Sequence, residues 1–205
     1  MTVKIYVEGG GDHNKALQTQ CRRASSEFFR KAGLEHRMPR VVPCGGRRRA
    51  YESFRTSHAN AGESDFPILL VDSEAPVTST DPWEHVRLRA GDDWQRPPGA
   101  SQDQIHLMVQ AMEAWFYADK AKLQMYYGQG FRLAALSSRS DIDNIAKFDL
   151  FTGLQTAARG CPKGEYSKGE DSFEILFRID PARVRAASPV HAGRLLNVLD
   201  RICVP

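Results

Sequence analysis

The sequence has few cysteines, no long apolar run and almost no excess charge. The four cysteines are scattered and form no C-x-x-C pair, so they fit neither a zinc site nor a disulfide framework. They are Cys21, Cys44, Cys161 and Cys203. No apolar segment approaches the roughly 20 residues of a membrane helix, and the N-terminal run is too short for a signal peptide. We therefore expect a cytoplasmic protein with reduced thiols and no membrane association.

Two common nucleotide-binding motifs are also missing. Neither G-x-G-x-x-G nor G-x-x-x-x-G-K-[ST] occurs, which disfavours a dinucleotide site and a self-contained ATPase. The net charge of +3 is too small to indicate nucleic-acid binding by itself. With 205 residues, 41% of them hydrophobic, the chain can form one α/β domain with a small helical addition.

Short apolar runs alternate with helical patterns along the first half of the chain. Strands are predicted near residues 3–7, 40–43, 66–71 and 105–109, and the first helix over 13–32. This alternation favours a parallel, Rossmann-like sheet of four strands flanked by helices. Further helices are predicted over 147–159, 172–179, 181–187 and 189–202. We divide the chain into a core over 1–125 and a helical C-terminal extension over 126–205, packed on the core.

Residues 75–103 interrupt this alternation. The segment is rich in proline and has no clear hydrophobic period, so it is predicted to be a long loop that is functional or mobile. Two tryptophans, Trp83 and Trp94, lie in it. They are suited either to stacking on nucleic-acid bases or to pinning the loop to the core, and we favour pinning.

Acidic residues follow the predicted strands at their carboxyl ends, where open α/β sheets bind ligands. These residues are Glu8, Asp12, Asp72, Glu74 and Glu113. A lone acid at such a position is usually a solvated loop residue, and Asp12 is also suited to capping the first helix. Five crowded carboxylates repel one another unless a cation lies between them. Because no histidine or cysteine accompanies them, we predict one or two Mg²⁺ or Mn²⁺ ions.

Two further features adjoin these acids. Gly9 and Gly10 belong to a glycine turn that permits close backbone approach to a phosphate, although such a turn is a weak signal alone. Arg47 and Arg48 belong to a run of three arginines at the start of the second helix. They are suited to phosphate contacts, with a solvated helix start as the alternative. Three cations oppose the helix macrodipole there, which favours the phosphate contacts.

A strand ending in Glu-Gly followed by a later strand ending in Asp-x-Glu resembles the Toprim signature. The fuller resemblance is to the Toprim-like family of unknown function numbered 4276. The segments that carry it are Val7–Gly10, Pro43–Arg47, Leu70–Glu74, Met112–Trp115 and Tyr166–Gly169. They spread over nearly the whole chain, so the resemblance is specific.

The chain also resembles the Toprim half of the overcoming-lysogenization-defect nucleases. That resemblance implies a metal site formed by the five acids and a charge-stabilising role for Lys168, which as a loop lysine would otherwise be solvated. Glu74 departs from the pattern because it replaces the second aspartate. The chain carries no ATPase domain, so the resemblance implies an AAA- or ABC-type ATPase encoded separately.

The resemblance implies a Mg²⁺-dependent nuclease acting on DNA or RNA, in an ATPase-linked anti-phage or repair system. The alternative is a non-catalytic Toprim module that binds nucleic acid or regulates the partner ATPase. The sequence does not decide between DNA and RNA, or between a monomer and a homodimer.

Overall fold

A four-stranded parallel sheet lies at the centre of the computed structural model, which describes residues 1–203. The strands are β1 (Thr2–Val7), β2 (Arg40–Pro43), β3 (Asp65–Asp72) and β4 (Ile105–Met108). Their order across the sheet is β2-β1-β3-β4, and every neighbouring pair is parallel. The predicted α/β, Rossmann-like architecture is confirmed.

Helices cover both faces of this sheet, which explains why β3 is an unbroken apolar run. Ile68 and Leu70 face one apolar cluster, whereas Leu69 and Val71 face a second cluster on the other side. Successive strand residues point to opposite faces, so a strand covered on both faces needs apolar residues at every position. All four side chains are at most 3% exposed.

Helices connect the strands and continue after β4 as far as Ile202. They are α1 (Lys15–Phe29), α2 (Arg47–Ala59), α3 (Pro82–Leu88), α4 (Glu113–Tyr117), α5 (Lys120–Tyr127), α6 (Lys147–Ala158), α7 (Asp171–Arg178), α8 (Pro181–Ala187) and α9 (Ala192–Ile202). Within residues 1–203, none of them is long and apolar enough to cross a membrane.

The segment over residues 75–103 is not the structureless loop that its composition predicts. It contains α3, which begins where the Asp81 side chain accepts a hydrogen bond from the Trp83 amide, with Pro82 in the first turn. Trp83 and Trp94 are 3% and 5% exposed, and the Trp94 ring stacks 4.5 Å from that of Tyr51. Pinning of this segment to the core is therefore confirmed, and base stacking by these tryptophans is excluded by their burial.

The C-terminal helices pack on one face of the sheet and share its apolar cluster. Ile5 of β1, Phe28 of α1, Leu154 of α6, Leu176 of α7 and Leu199 of α9 all belong to that cluster. Helix α7 packs directly against α1. This contact brings the loop before α7 to the carboxyl edge of the sheet, where the predicted acidic residues lie.

Candidate metal centre

Three carboxylates meet at the carboxyl ends of β1 and β3. Glu8 directly follows β1, Asp72 ends β3, and Glu74 lies two residues further on. Because β1 and β3 are parallel neighbours, their ends lie side by side, and the Asp72 amide donates to Glu8 Oε2 at 3.1 Å. One oxygen from each of the three carboxylates lies within 4.8 Å of the other two. This acidic triad could hold a metal ion.

Glu74 reaches the triad from an unusual backbone conformation. Its φ angle is +65°, in the left-handed region, and its amide donates to the carbonyl of Gln110 at 2.9 Å. Lys147 Nζ lies 2.5 Å from Glu74 Oε2, and Arg89 Nη2 lies 4.0 Å from the same oxygen. Two cations therefore hold the Glu74 side chain beside Asp72.

Glu113 is completely buried next to the triad. Its Oε1 accepts a hydrogen bond of 2.6 Å from the Tyr166 hydroxyl, which also contacts Ser172 Oγ at 2.7 Å. Its Oε2 has no hydrogen-bond partner among residues 1–203. A buried carboxylate oxygen without a partner is costly, and a cation in the adjoining cavity would satisfy it. Glu113 thus gives independent support for an ion at this place.

Burial and mutual repulsion shift the ionisation of the acids. Burial, followed by the charges of Glu8 and Glu113, raises the pKa of Asp72 well above its usual range. Burial likewise raises the pKa of Glu8, although Arg47 opposes the shift. The ionised cluster is therefore unfavourable without a cation, and its all-oxygen composition suits Mg²⁺ or Mn²⁺. The residues present fit such an ion.

Lys168 comes to this cluster from far along the chain. Its ammonium lies 3.9 Å from Asp72 Oδ2 and 5.3 Å from the centre of the Phe151 ring. Burial lowers the pKa of Lys168, but Glu113, Asp72 and Glu8 outweigh burial, so the net pKa is raised. Lys168 is therefore a protonated cation at the site.

Asp12 lies at the edge of the site rather than in the triad. Its Oδ1 accepts from the Gly46 amide at 3.2 Å and lies 3.6 Å from Arg49 Nη1. It does not cap α1, because Asn14 fills that position. Asp12 lines the same cavity as Glu8, so its role as a metal ligand stays a prediction.

The glycine turn forms part of the cavity wall. Gly9 and Gly10 both line the cavity, and the Gly9 and Gly45 backbones exchange two hydrogen bonds of 2.8 Å. Gly45 has a φ angle of +74°, and a side chain there would collide with the Asp12 carboxylate and the Gly11 backbone. Only glycine allows these two loops to approach so closely.

The two arginines predicted to contact phosphate have separate environments. Arg47 Nε and Nη2 bind the Asp92 carboxylate, at 2.9 Å to Oδ1 and 2.5 Å to Oδ2. Its Nη1 donates to the Asp72 carbonyl and lies 3.6 Å from Glu8 Oε2. Arg48 is 87% exposed, pairs with Glu52 and does not line the cavity. Consecutive helix residues point in different directions, so of these two arginines only Arg47 reaches the acidic triad.

Four residues at this site carry no sequence signal of their own. Asp92 orients Arg47, Lys147 and Arg89 hold Glu74, and Tyr166 binds Glu113. Tyr166 alone falls within a segment that carries the family resemblance. Arg89 and Asp92 lie in the segment 75–103, which has no hydrophobic period, and Lys147 begins a predicted helix whose sequence does not indicate a contact with Glu74.

One comparison with known proteins identifies the chain. The family model described as "Domain of unknown function (DUF4276)" matches residues 7–200. No curated protein and no solved structure matches the chain. The match covers the acidic triad, Glu113 and Lys168, so the whole candidate site lies within the family's region.

Proposed function

The chain belongs to the family described as a domain of unknown function (DUF4276), and we propose that it is a divalent-metal-dependent nuclease of the Toprim type that hydrolyses phosphodiesters in DNA or RNA. The observation that carries this proposal is the convergence of Glu8, Asp72 and Glu74 within 4.8 Å. The unpartnered Glu113 Oε2 and the nearby Lys168 ammonium support it. The Toprim resemblance supplies the reaction class.

In the proposed reaction the oxygen of a water molecule bonds to phosphorus while the ester P–O bond breaks. The water gives up a proton to solvent, and the leaving oxygen takes one up. Asp72 and Glu8 would hold a divalent ion at the acidic triad, and that ion would supply Lewis-acid chemistry to the reaction. The Lys168 ammonium would neutralise negative charge that grows on the phosphoryl oxygens.

The surrounding residues keep these groups in place. Asp92 fixes Arg47, and the Arg47 guanidinium beside Glu8 holds that carboxylate at the edge of β1. Lys147 does the same for Glu74. Glu74 is longer than the aspartate of the Toprim pattern, and it has a left-handed backbone conformation beside Lys147.

The proposal extends to partners. On the basis of the resemblance, we propose that a separately encoded AAA- or ABC-type ATPase works with this chain in anti-phage defence or DNA repair, in the cytoplasm.

The second candidate function is that of a non-catalytic module that binds nucleic acid or regulates the ATPase. The observation that favours it is the partial neutralisation of the acids by Arg47 and Lys168, at 3.6 Å and 3.9 Å, which lowers the need for a metal.

Nicking of supercoiled plasmid and cleavage of RNA test the proposal. Both are measured in Mg²⁺ and in Mn²⁺, with the protein alone and with the separately encoded ATPase. The Asp72→Asn variant should be inactive, and Asp143→Asn, which removes a half-buried acid in another part of the chain, should be active. If no condition gives cleavage, the nuclease hypothesis fails and the non-catalytic module stands.

A further inference from the structure

Glu8, Asp12, Asp72 and Glu113 line one small cavity. Asp72 is 4% exposed, Glu113 is fully buried, and the cavity volume is about 340 Å³. That volume encloses a small organic molecule, about the size of one nucleotide. A DNA duplex is stiff over about 150 base pairs, and its phosphates lie on a cylinder far wider than this cavity. A paired strand therefore cannot bring its backbone to Asp72 without local unpairing.

Part of the cavity wall is apolar. Leu17, Met112 and Phe173 line it together with the glycine turn. Phe173 is 6% exposed and packs against Gly9, where an added Cβ would lie 3.4 Å from Phe173 Cζ. A bare phosphate has no apolar surface to bury against this wall, whereas a base or a sugar gains binding free energy by burying its apolar surface there. The lining thus favours an unpaired nucleotide as the occupant.

Helix α6, whose first residue contacts the acidic triad, carries an exposed aromatic side chain. Helix α6 begins at Lys147, which contacts Glu74, and the next residue, Phe148, is 77% exposed. Phe151, three residues later, lies under the Lys168 ammonium. Residues three apart share one side of a helix, so Phe148 and Phe151 lie on the same side of α6. Single exposed apolar residues are common, but this one directly follows Lys147 and lies on the same side of α6 as Phe151, whose ring centre is 5.3 Å from the Lys168 ammonium.

We propose that the site takes its phosphodiester from an unpaired nucleotide, in a single strand, a bubble or a frayed end, and that Phe148 stacks on a neighbouring base. This inference rests on the proposed nuclease function and specifies its substrate. The cavity accepts the nucleotide at the scissile phosphate, the lysines attract the backbone, and the exposed ring accepts any base because every base has a π-face.

Three substrates of one sequence test the inference. They are a circular single strand, a relaxed circular duplex in which both strands are covalently closed, and the same closed duplex with a central bubble, each made in DNA and in RNA. In Mn²⁺, with the ATPase present, we expect cleavage of the single strand and of the bubble. The fully paired duplex should react about 10- to 100-fold more slowly, because unpairing costs a few kcal/mol.

A binding measurement with a matched control completes the test. By fluorescence anisotropy, Phe148→Ala should weaken binding of the labelled single strand about fivefold or more, as expected for a lost base stack. Met125→Ala removes another exposed apolar side chain, 72% exposed on α5, and should bind like wild type.

Two results would overturn the inference. Equal cleavage of the closed duplex and the single strand would refute it and leave the nuclease proposal intact. Failure to cleave any of the substrates would remove the nuclease proposal and this inference with it.

Discussion

Replacing Asp72 by asparagine should stabilise the metal-free protein and abolish its stabilisation by Mn²⁺. The Asp72 carboxylate is buried, and its Oδ1 accepts a 2.8 Å hydrogen bond from the Met112 amide. An asparagine oxygen can keep that bond. The substitution therefore removes a charge from the cluster while changing its shape very little.

The size of the effect follows from the distances. Two unit charges 4.8 Å apart, the limit for Asp72 and Glu8, repel by about 3.5 kcal/mol at an effective dielectric constant near 20. The attraction to Lys168 at 3.9 Å opposes this, but the Lys168 side chain is 57% exposed, so solvent reduces that term to about 1 kcal/mol. The free energy of unfolding of Asp72→Asn should rise by about 2.5 kcal/mol. That corresponds to a Tm about 5–10 °C higher.

Thermal unfolding in EDTA and in Mn²⁺ provides the assay. Wild type should gain about 4.1 kcal/mol at a Mn²⁺ concentration 1,000 times its Kd, and the variant should gain nothing. The order of the two Tm values therefore reverses between the conditions. Asp143→Asn is the control: burial raises the pKa of Asp143 to about 6, so this variant should also be more stable in EDTA yet keep the full response to Mn²⁺. A variant less stable than wild type in EDTA, or with an unchanged Mn²⁺ response, would refute the reasoning.

Three further predictions concern charge and pH. Lys168→Ala should lower kcat about 100-fold or more, whereas its Mn²⁺ affinity measured by calorimetry should stay nearly unchanged. Lys168→Arg should recover only part of the rate, because a planar guanidinium does not replace a compact charge. Burial lowers the pKa of His106 to about 3. Below pH 6.5 this histidine is therefore protonated in the unfolded chain but stays neutral in the folded protein. The free energy of unfolding consequently falls as the pH drops from 6.5 towards 3. Between pH 7.5 and pH 5, urea unfolding of wild type should lose about 2 kcal/mol more than that of His106→Gln. Asp92→Asn should take from the buried Arg47 its hydrogen-bonded carboxylate and leave only Glu8, at 3.6 Å, as a counter-charge. The free energy of unfolding should fall by about 3 kcal/mol, and equal stability by urea unfolding would contradict this.

The sheet could be predicted from the sequence because the burial of each strand determines the pattern of apolar residues within that strand. The run from Phe66 to Val71 is apolar at every position, which only a strand covered on both faces requires, and it is β3 in the structure. Helix α3 was missed because seven residues are too few to show a helical period. The pair Asp81-Pro82, a capping residue followed by proline, was the signal that could have found it.

The candidate site was predictable only in part. Strand ends locate Glu8 and Asp72, because parallel neighbours end at the same edge of the sheet. Glu113 and Lys168 were predicted at the site only through the family resemblance, because the loop before α7 reaches the acids through tertiary packing, which residue spacing does not encode. The pairing of Arg47 with Asp92 spans 45 residues and was not predicted, because an isolated arginine run carries no information about its partner, and the phosphate contact of Arg47 stays a prediction.

The most direct test of the central idea, a divalent ion held by the acidic triad, is anomalous diffraction from crystals soaked in Mn²⁺. We expect anomalous density between Glu8, Asp72 and Glu74, at about 2.1 Å from their carboxylate oxygens, with Glu113 Oε2 satisfied directly or through water. Asp72→Asn crystals soaked in the same way should show no such density. Density elsewhere on wild type, with none at the triad, would contradict the account.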